Sequence, residues 1–528
     1  MDRTSTELHE RASAPRHLVA QQYARLVEAQ AQSPDKIFIT GSELKDLDPN
    51  LVTLDHNAGE HPRSWPLIKK VRTTGIVAAL CFLSPFASTI FAPSIHLVMA
   101  DLGITDSTLG ALQVSVFLFA YAVGPLFLAP LSELYGRAVI LQLGNIVFVA
   151  FSVGGGFSRT PAQLSVCRFL AGIGGSSGLA VVGGVAMDLW DLEARPKATG
   201  LIMLGPILGP ILGPVCGGWM SAGTSWRWTM WVPAISAGFL GLLALIWLDE
   251  SYAPWILQTK LRRARAKSHR ADFYSVLDLN SVAKATLGSV LVQFIRPVIY
   301  LVVDPALLLA SLFYSMCFGV AYLVLVTYAD VFGFGYGHSV GIIGTDFLAL
   351  GVGMIIGTVG TMKLMEAVFK KDSPKDKPFK PESRLLSCAP GLVLGAGGLL
   401  LYGFAAFKTH FIVPLIGIAI FAVGVMSIMP DMQIAIQVFT VESFEFPASA
   451  FASISVLRCL FAGAFPLFGQ KLFVAVGVDW GIALLAFLIL GIGLPFVPVM
   501  YKYGPRLRKV GAANMARLEG YSVENADK

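Results

Sequence analysis

Ionisable side chains that lie within or beside long apolar segments are the groups of this 528-residue chain most able to do chemistry. They are Arg168, Glu133, Asp346, Asp431, Glu442 and Arg458. An uncompensated arginine near the middle of a membrane costs at least about 2.5 kcal/mol, so a buried one generally faces a cavity or a charged partner. We therefore expect Arg168, which lies about seven residues into its span, to face a cavity or a partner, and Asp346, which we place in mid-span, to face the cavity. The alternatives are an Arg168 that reaches the membrane interface, and an Asp346 near the outer end of its span with local hydrogen bonds.

A regular pattern of glycine and proline occupies residues 205–218, which read GPILGPILGPVCGG. Glycine occurs at every fourth position, so the glycines fall on one face of a helix with prolines beside them. In a soluble helix each interior proline would cost about 3 kcal/mol, whereas neighbouring helices in a membrane satisfy the freed carbonyl groups. Small residues also let a second helix approach to backbone contact. The pattern predicts a bent membrane helix packed tightly on a partner, and close packing alone is the alternative to a functional role.

The elements that must position these groups are membrane helices. The chain is 55% hydrophobic and 14% charged, whereas soluble domains carry roughly 25% charged residues. Apolar runs near 20 residues are long enough to cross a bilayer of about 30 Å. Twelve such runs occur, at about 74–97, 107–131, 138–157, 162–188, 196–221, 226–248, 304–329, 338–365, 386–407, 410–430, 447–475 and 479–501. We predict an all-α polytopic membrane protein with twelve transmembrane helices.

A hydrophilic stretch between the sixth and seventh runs indicates two six-helix halves. The expected parts are a mostly disordered cytoplasmic tail (1–73), an N-terminal half (74–248), a cytoplasmic central loop (249–303), a C-terminal half (304–501) and a cytoplasmic tail (502–528). Within the central loop, residues 281–296 could form a short amphipathic helix on the bilayer. A basic loop at 370–384 is expected to be flexible.

The distribution of basic residues gives the orientation. If both termini are cytoplasmic, the inside segments hold 34 of the 40 lysines and arginines, as the positive-inside rule requires. The net charge of +6 reflects this bias and indicates no nucleic-acid partner. The six cysteines lie in or at the edges of the apolar runs without a CxxC spacing, so we expect neither a metal site nor a cofactor. The sequence also contains no arrangement of a nucleophile and a base that would suggest an enzyme.

A loop signature after the second run points to a family. GPLFLAPLSELYGR contains Gly124, Glu133, Gly136 and Arg137, and it resembles the loop motif of the major facilitator superfamily. The PLSELYGR form is similar to that of fungal drug:proton antiporters. Glu133 replaces the usual Asp and Ala138 replaces a second basic residue, so we expect a weaker charge contact in this loop.

The glycine pattern carries a second resemblance, to the antiporter signature GxxxGPxxGG of this family. The matching positions are Gly209, Gly213, Pro214, Gly217 and Gly218. The resemblance covers about residues 60–505, and it implies a seam between spans 5 and 8 that seals one side of a carrier. Arg168 resembles the membrane-embedded arginine that this family uses in proton coupling.

The resemblance implies two helical halves that rock around a central cavity and exchange a small molecule for protons. The coupling candidates are then the six ionisable residues named at the outset. Candidates for the cavity wall are Gln113, Phe117, Tyr121, Phe313, Tyr314 and Tyr322, with plain core packing as the alternative.

The function predicted from these features is proton-coupled export of small hydrophobic or amphipathic compounds, such as antifungal drugs, toxins or a fungal secondary metabolite. Uptake of a small nutrient is one alternative, which the antiporter signature disfavours. A membrane sensor that does not transport is another, although the C-terminal tail of about 27 residues is short for one. We expect a monomer embedded in the plasma membrane, with the vacuolar membrane as a less favoured location.

Overall fold

The protein is described here by a computed structural model, which covers residues 50–54, 59–191, 194–268, 273–275, 287–372, 385–443 and 447–526. Within these ranges, twelve helices are long and apolar enough to cross a membrane. Spans 1 to 6 are Leu67–Asp101, Ser107–Tyr135, Arg137–Gly156, Pro161–Leu189, Lys197–Gly223 and Trp228–Trp247. Spans 7 to 12 are Pro305–Gly335, Val340–Leu364, Leu385–Ala405, Ile412–Pro430, Ser453–Val476 and Val478–Met515. The twelve predicted membrane helices are confirmed.

An even number of spans places the start of span 1 at Leu67 and the end of span 12 at Met515 at the same end of the bundle. We call this the terminal end, and the opposite end the distal end. Several helices continue beyond the apolar spans at the terminal end. The helix of span 8 is Val340–Asp372, that of span 10 is Ile412–Ser443, that of span 11 is Pro447–Val476 and that of span 12 is Val478–Ala526.

Three spans are interrupted. Span 1 consists of the helix Leu67–Thr89, a 3-10 turn at Ala92–Ser94 and the short helix Ile95–Asp101. Span 4 divides into Pro161–Gly175 and Ser177–Leu189. In span 7, the helix Pro305–Asp330 continues as a π-helical turn at Val331–Gly335. Spans 1 and 7, the corresponding helices of the two halves, are also the most deeply buried of the twelve.

Side-chain caps fix where several helices begin. The Asp304 carboxylate accepts hydrogen bonds from the backbone N–H groups of Ala306 (2.8 Å) and Leu307 (3.0 Å), and Pro305 follows it in the first turn. A carboxylate is favoured at this position because the N-terminal end of a helix is partly positive. Burial raises the pKa of the Asp304 carboxyl, while these two hydrogen bonds act in the opposite direction.

Two helices extend beyond the apolar runs predicted from the sequence. Span 1 begins at Leu67 and not at residue 74, and the last helix continues to Ala526 and not to residue 501. The central loop contains the helices Ala253–Ser268 and Leu287–Val303. The second of these lies later than the expected 281–296 helix, of which residues 281–286 are outside the described part.

The N-terminal tail contributes one ordered segment to the central loop. Leu51–Val52 pairs in parallel with Tyr274–Ser275 as a two-residue strand, and Leu51 is buried. The ammonium group of Lys260 donates to the carbonyl oxygen of Thr53 at 2.9 Å and contacts Glu60. Residues 1–49 and 373–384, on which the expectations of disorder and flexibility mostly fall, lie outside the described residues.

Candidate functional site

Arg168 is buried in the N-terminal half, with 2% of its surface exposed. Its guanidinium carbon lies 4.5 Å from the ring centroid of Phe91 in span 1 and 5.4 Å from that of Phe117 in span 2. One terminal nitrogen donates to the carbonyl oxygen of Ser88 at 3.4 Å, and the other contacts the sulfur of Met230 at 3.9 Å. Arg168 therefore does not extend to the membrane interface, and aromatic faces hold its charge.

Arg458 of span 11 forms a corresponding cluster in the C-terminal half. Its Nη1 donates to the Tyr314 hydroxyl at 3.3 Å, and its guanidinium carbon lies 4.8 Å from the ring centroid of Phe318. The Tyr314 hydroxyl in turn donates to Gln433 Oε1 of span 10 at 3.3 Å. Each half thus holds one arginine against aromatic rings, which belong to spans 1 and 2 for Arg168 and to span 7 for Arg458. Contacts between a cation and an aromatic ring strengthen when water is excluded.

The six cavity candidates separate into two groups. Tyr121 belongs to the same buried apolar cluster as Cys459 of span 11, so this part of span 2 meets the other half, and Tyr322 packs on Phe318 next to Arg458. Phe117 and Tyr314 are the aromatic neighbours of the two arginines described above. In contrast, Gln113 accepts a hydrogen bond from Ser165 at 3.1 Å within the N-terminal half.

Phe313 is the clearest case of packing among the cavity candidates. Its ring stacks on Phe496 of span 12 with 4.6 Å between the ring centroids, inside the core of the C-terminal half. This contact agrees with the packing alternative rather than with a place in the cavity wall.

The glycine face of span 5 lies against span 1. A side chain at Gly209 would meet the backbone of Phe86, one at Gly213 would meet the Phe86 carbonyl oxygen, and one at Gly217 would meet Ile90. Span 5 does pack on span 8 as expected, but most of its glycines face span 1. Helical spacing identifies a face but not the helix that covers it.

Span 8 meets the same segment of span 5 through Ile211, which packs on Gly351 and Met354, and through the glycines at the distal end of the pattern. A side chain at Gly218 would meet the backbone of Val340 and Gly344, and one at Gly344 would meet the carbonyl oxygen of Pro214. The ring of Trp219 also fills the space beside Gly341. Spans 5 and 8 belong to different halves, so the two halves are in backbone contact at the distal end.

The loop between spans 2 and 3 is organised around Arg137. Its Nη1 donates to Ser132 Oγ at 2.7 Å, its Nε donates to Asp188 Oδ2 at 3.4 Å, and its Nη2 lies 3.7 Å from Glu133 Oε1. A side chain at Gly184 would occupy the position of the Arg137 guanidinium group. The charge contact of this loop therefore involves span 4 as well as the adjacent glutamate.

Glu250, which the sequence analysis did not single out, caps span 3. Its carboxylate accepts from the backbone N–H groups of Arg137 (2.9 Å) and Ala138 (3.0 Å), where the positive end of the helix stabilises an anion. Gly136 precedes them with φ at 98°, a conformation that favours glycine, and its position leaves no room for a side chain beside Glu250. The only indication of Glu250 in the sequence was its position, as an acidic residue soon after span 6.

Gly124 begins the loop motif but packs away from Arg137, whereas Tyr252 packs on Arg137 itself. Gly124 lies against Ser176 of span 4, in the gap between that span's two helices. Tyr252 lies with its ring centroid 4.8 Å from the Arg137 guanidinium carbon. Burial, assisted by the nearby Glu133, raises the pKa of the Tyr252 hydroxyl, which keeps the ring neutral beside the arginine.

Asp346 is not in the middle of span 8, where we had placed it. It is near the distal end of the helix that begins at Val340, and its Oδ2 lies 2.6 Å from His338 Nδ1. Its backbone carbonyl also accepts from the Tyr328 hydroxyl at 2.8 Å. This position agrees with the alternative of a locally hydrogen-bonded carboxylate. Span 7 ends in a π-helical turn, and Gly337 with φ at 70° then redirects the chain, which brings His338 back to the helix.

Two other coupling candidates, Asp431 and Glu442, belong to the helix of span 10, but their side chains lie outside the described part of the structure.

The sequence analysis missed a pair of ionisable residues at the distal end. His96 Nε2 of span 1 is 2.7 Å from Asp330 Oδ1 of span 7.

Within the described residues, no group of three His, Cys, Asp or Glu side chains is placed to hold a metal ion.

Twelve membrane spans, with an arginine packed on aromatic rings in each half and close backbone contact between the halves, are the architecture of a membrane carrier. Residues 77–466 match the model of the Major Facilitator Superfamily, and the chain belongs to this family of transporters.

Curated relatives match nearly the whole chain. The efflux pump vrtL of Penicillium aethiopicum is 35% identical over 468 residues, which cover 88% of this chain and 91% of the relative. The efflux pump radE of Floropilus chiversii is 36% identical over 473 residues, which cover 88% of this chain and 86% of the relative. Among solved structures, the xylose transporter XylE from E. coli, in a partially occluded inward open conformation, matches with a TM-score of 0.58 and 14% identity. That match covers 83% of this chain and 98% of XylE, and at this identity it shows the fold alone.

Proposed function

We propose that the protein exports small hydrophobic or amphipathic organic compounds in exchange for protons. The observation that carries the proposal is the glycine face of span 5, which matches an exporter signature and lies in close contact with span 1. The curated relatives with efflux-pump names support the same direction of transport. The proposed substrates are antifungal drugs, toxins or a fungal secondary metabolite.

The proposed coupling centre is Arg168, whose charge is held between rings of spans 1 and 2. A fixed positive charge favours ionisation of any nearby carboxyl group, and it can be neutralised by that group when a proton leaves. With Asp346 already bonded to His338, the proposed carboxyl groups are Asp431 and then Glu442 of span 10. Arg458 is the proposed counterpart of Arg168 in the other half.

The proposed substrate region lies between these two arginines. Tyr121 and Tyr322 contribute aromatic surface there, and Tyr314 and Phe117 hold the arginines in place. Apolar and aromatic walls with few polar groups suit amphipathic molecules. We do not assign Gln113 or Phe313 to this region, because Gln113 is hydrogen-bonded to Ser165 and Phe313 stacks on Phe496 in the core of the C-terminal half.

We further propose that the protein works as a monomer in the plasma membrane, with the terminal end in the cytoplasm. The distribution of lysine and arginine supports this orientation, since the segments at the terminal end hold most of them. The distal end then faces the cell exterior, and an exporter would open that end to release its substrate.

Accumulation assays in yeast cells that lack their own drug pumps test the function. The probes are cationic, neutral and anionic amphipathic fluorophores, and the comparison is between wild type, Arg168→Ala and empty vector at equal surface expression. We expect at least one probe to accumulate less with the wild type than with the other two. Higher accumulation with the wild type would indicate uptake, and equal accumulation of every probe in wild type and Arg168→Ala would contradict the proposal.

A further inference from the structure

One charge contact joins the two halves at the distal end. His96 belongs to the short helix Ile95–Asp101 of span 1, and Asp330 is the last residue of the helix Pro305–Asp330 of span 7. The distance between His96 Nε2 and Asp330 Oδ1 is 2.7 Å. Among the ion pairs of the described part of the chain, this is the one that connects the halves.

The surroundings of this contact are partly apolar. The ring of His96 lies edge-on to Phe334, with 4.8 Å between the ring centroids. The side chains of His96 and Asp330 are 32% and 20% exposed, whereas the Nε2 atom of His96 is itself buried. This limited exposure reduces the screening of the attraction between the imidazole and the carboxylate.

The other charged groups near this contact are engaged within a single half. In the C-terminal half, His338 is bonded to Asp346 at 2.6 Å, and Tyr402 of span 9 is an electrostatic neighbour of Asp330. In the N-terminal half, Asp101 pairs with Arg227 at 2.8 Å and accepts a hydrogen bond from Trp226. Spans 5 and 8 approach the same region through Gly218 and Gly344, which carry no charge.

We propose that His96 and Asp330 form a proton-operated latch that holds the distal end closed. Histidine is the side chain whose charge ordinarily changes between pH 5 and 8. A protonated imidazole attracts the carboxylate as an ion pair, whereas a neutral imidazole offers at most a weaker hydrogen bond. Protonation of His96 therefore favours contact between spans 1 and 7, and loss of the proton releases it.

The latch gives the proton a mechanical role, which rests on the proposed proton-coupled export. An exporter that opens to the distal side must close again before it can bind new substrate from the terminal side. A proton taken up by His96 from the distal solution would stabilise this closure. A proton bound at the latch would then act on the return step, in addition to the proton exchanged at the coupling centre.

Distance measurements on the purified full-length protein in lipid nanodiscs test the latch without any substrate. Spin labels are attached at Thr105→Cys and Ser339→Cys, two exposed distal positions on opposite halves. The background carries Cys167→Ser and Cys216→Ser, because these are the native cysteines that are not buried. Label distances are recorded between pH 5.5 and 8.5 for the unaltered latch, for His96→Asn and for His96→Lys.

We expect the ratio of closed to open distal ends to fall by about fivefold or more between pH 5.5 and 8.5 with the unaltered latch. His96→Asn should abolish this change, and His96→Lys, which stays charged, should remain closed at every pH. His338→Asn is the matched control, since its carboxylate partner is in the same half, and it should keep the pH response. A response that persists in His96→Asn, or that is absent from the unaltered latch, would overturn the proposal. Because no transport is measured, failure here leaves proton-coupled export to its own test.

Discussion

Arg168 of span 4 lies over the ring of Phe91 in span 1, with 4.5 Å between the guanidinium carbon and the ring centroid. Phe91 stands at the interruption of span 1, just before the 3-10 turn that leads to His96. The Arg168 guanidinium group is thus in contact with span 1, and the distal part of span 1 contacts the C-terminal half through His96 and Asp330. A change in the charge of a group near Arg168 can therefore affect the distal end through span 1.

We expect Arg168→Ala to abolish proton-driven export while the protein remains folded in the membrane. The substitution removes a charge that is costly to bury, so its effect on folding should be small compared with its effect on coupling. Export from vesicles under an imposed pH gradient measures this. Arg159→Ala, which alters an exposed arginine in the loop before span 4, is the control and should export normally. Gradient-dependent export by Arg168→Ala at the wild-type rate would exclude Arg168 from coupling.

Gly213→Val should reduce export about tenfold at near-normal surface expression. The added side chain would meet the Phe86 carbonyl oxygen, and overpacking of this kind costs about 1–3 kcal/mol, enough to disfavour one conformation of a carrier. Pro214→Ala should do less harm, because the glycines set the distance between the helices.

Gly200→Val is the matched control for Gly213→Val, since Gly200 lies in the same span and has open space beside it. It should export like the wild type. Equal losses in both valine variants would show that the effect is one of helix propensity and not of contact with span 1.

Asp188→Asn should lower the thermal stability of the protein by about 1–3 kcal/mol, because it weakens the hydrogen-bonded partner of a buried arginine. Glu133→Gln should have a much smaller effect, since the Glu133 carboxylate is half exposed and lies 3.7 Å from Arg137. Thermal unfolding in detergent, followed by intrinsic tryptophan fluorescence, compares the two variants. A larger loss in Glu133→Gln than in Asp188→Asn would mean that the contact within the loop dominates.

Asp346→Asn should leave the pH dependence of export unchanged and lower thermal stability. The carboxylate is bonded to His338 near the distal end of span 8, so its replacement weakens a local contact. Asp431→Asn should instead remove the pH dependence if Asp431 carries the proton. The measurement is the export rate against pH for both variants. If only Asp346→Asn lost the pH dependence, Asp346 would be the residue that carries the proton.

The sequence was sufficient for the number and order of the spans, because the length of an apolar run and the thickness of a bilayer determine them directly. The burial of Arg168 was also predictable, since so few residues in the spans are charged. The partner of the glycine face was not, because periodicity carries no information about which helix lies opposite. Asp188 and Glu250 were missed for the same reason: they reach Arg137 from distant parts of the chain.

The error at Asp346 has a local cause. Its partner His338 follows a π-helical turn and a glycine with positive φ, neither of which an apolar count identifies. The count therefore placed the carboxylate too deep in the span. A histidine close in sequence to a carboxylate at the start of a membrane helix was the signal that could have indicated the pair.

Proton movement measured together with substrate movement in proteoliposomes is the most direct test of proton-coupled export. A trapped pH-sensitive dye reports protons while a gradient of the most strongly exported fluorophore is imposed without a pH gradient. Antiport predicts that substrate and protons move in opposite directions, whichever way the protein is inserted, and that Arg168→Ala shows no such proton movement. Protons that move with the substrate, or substrate flux with no proton flux, would contradict the account.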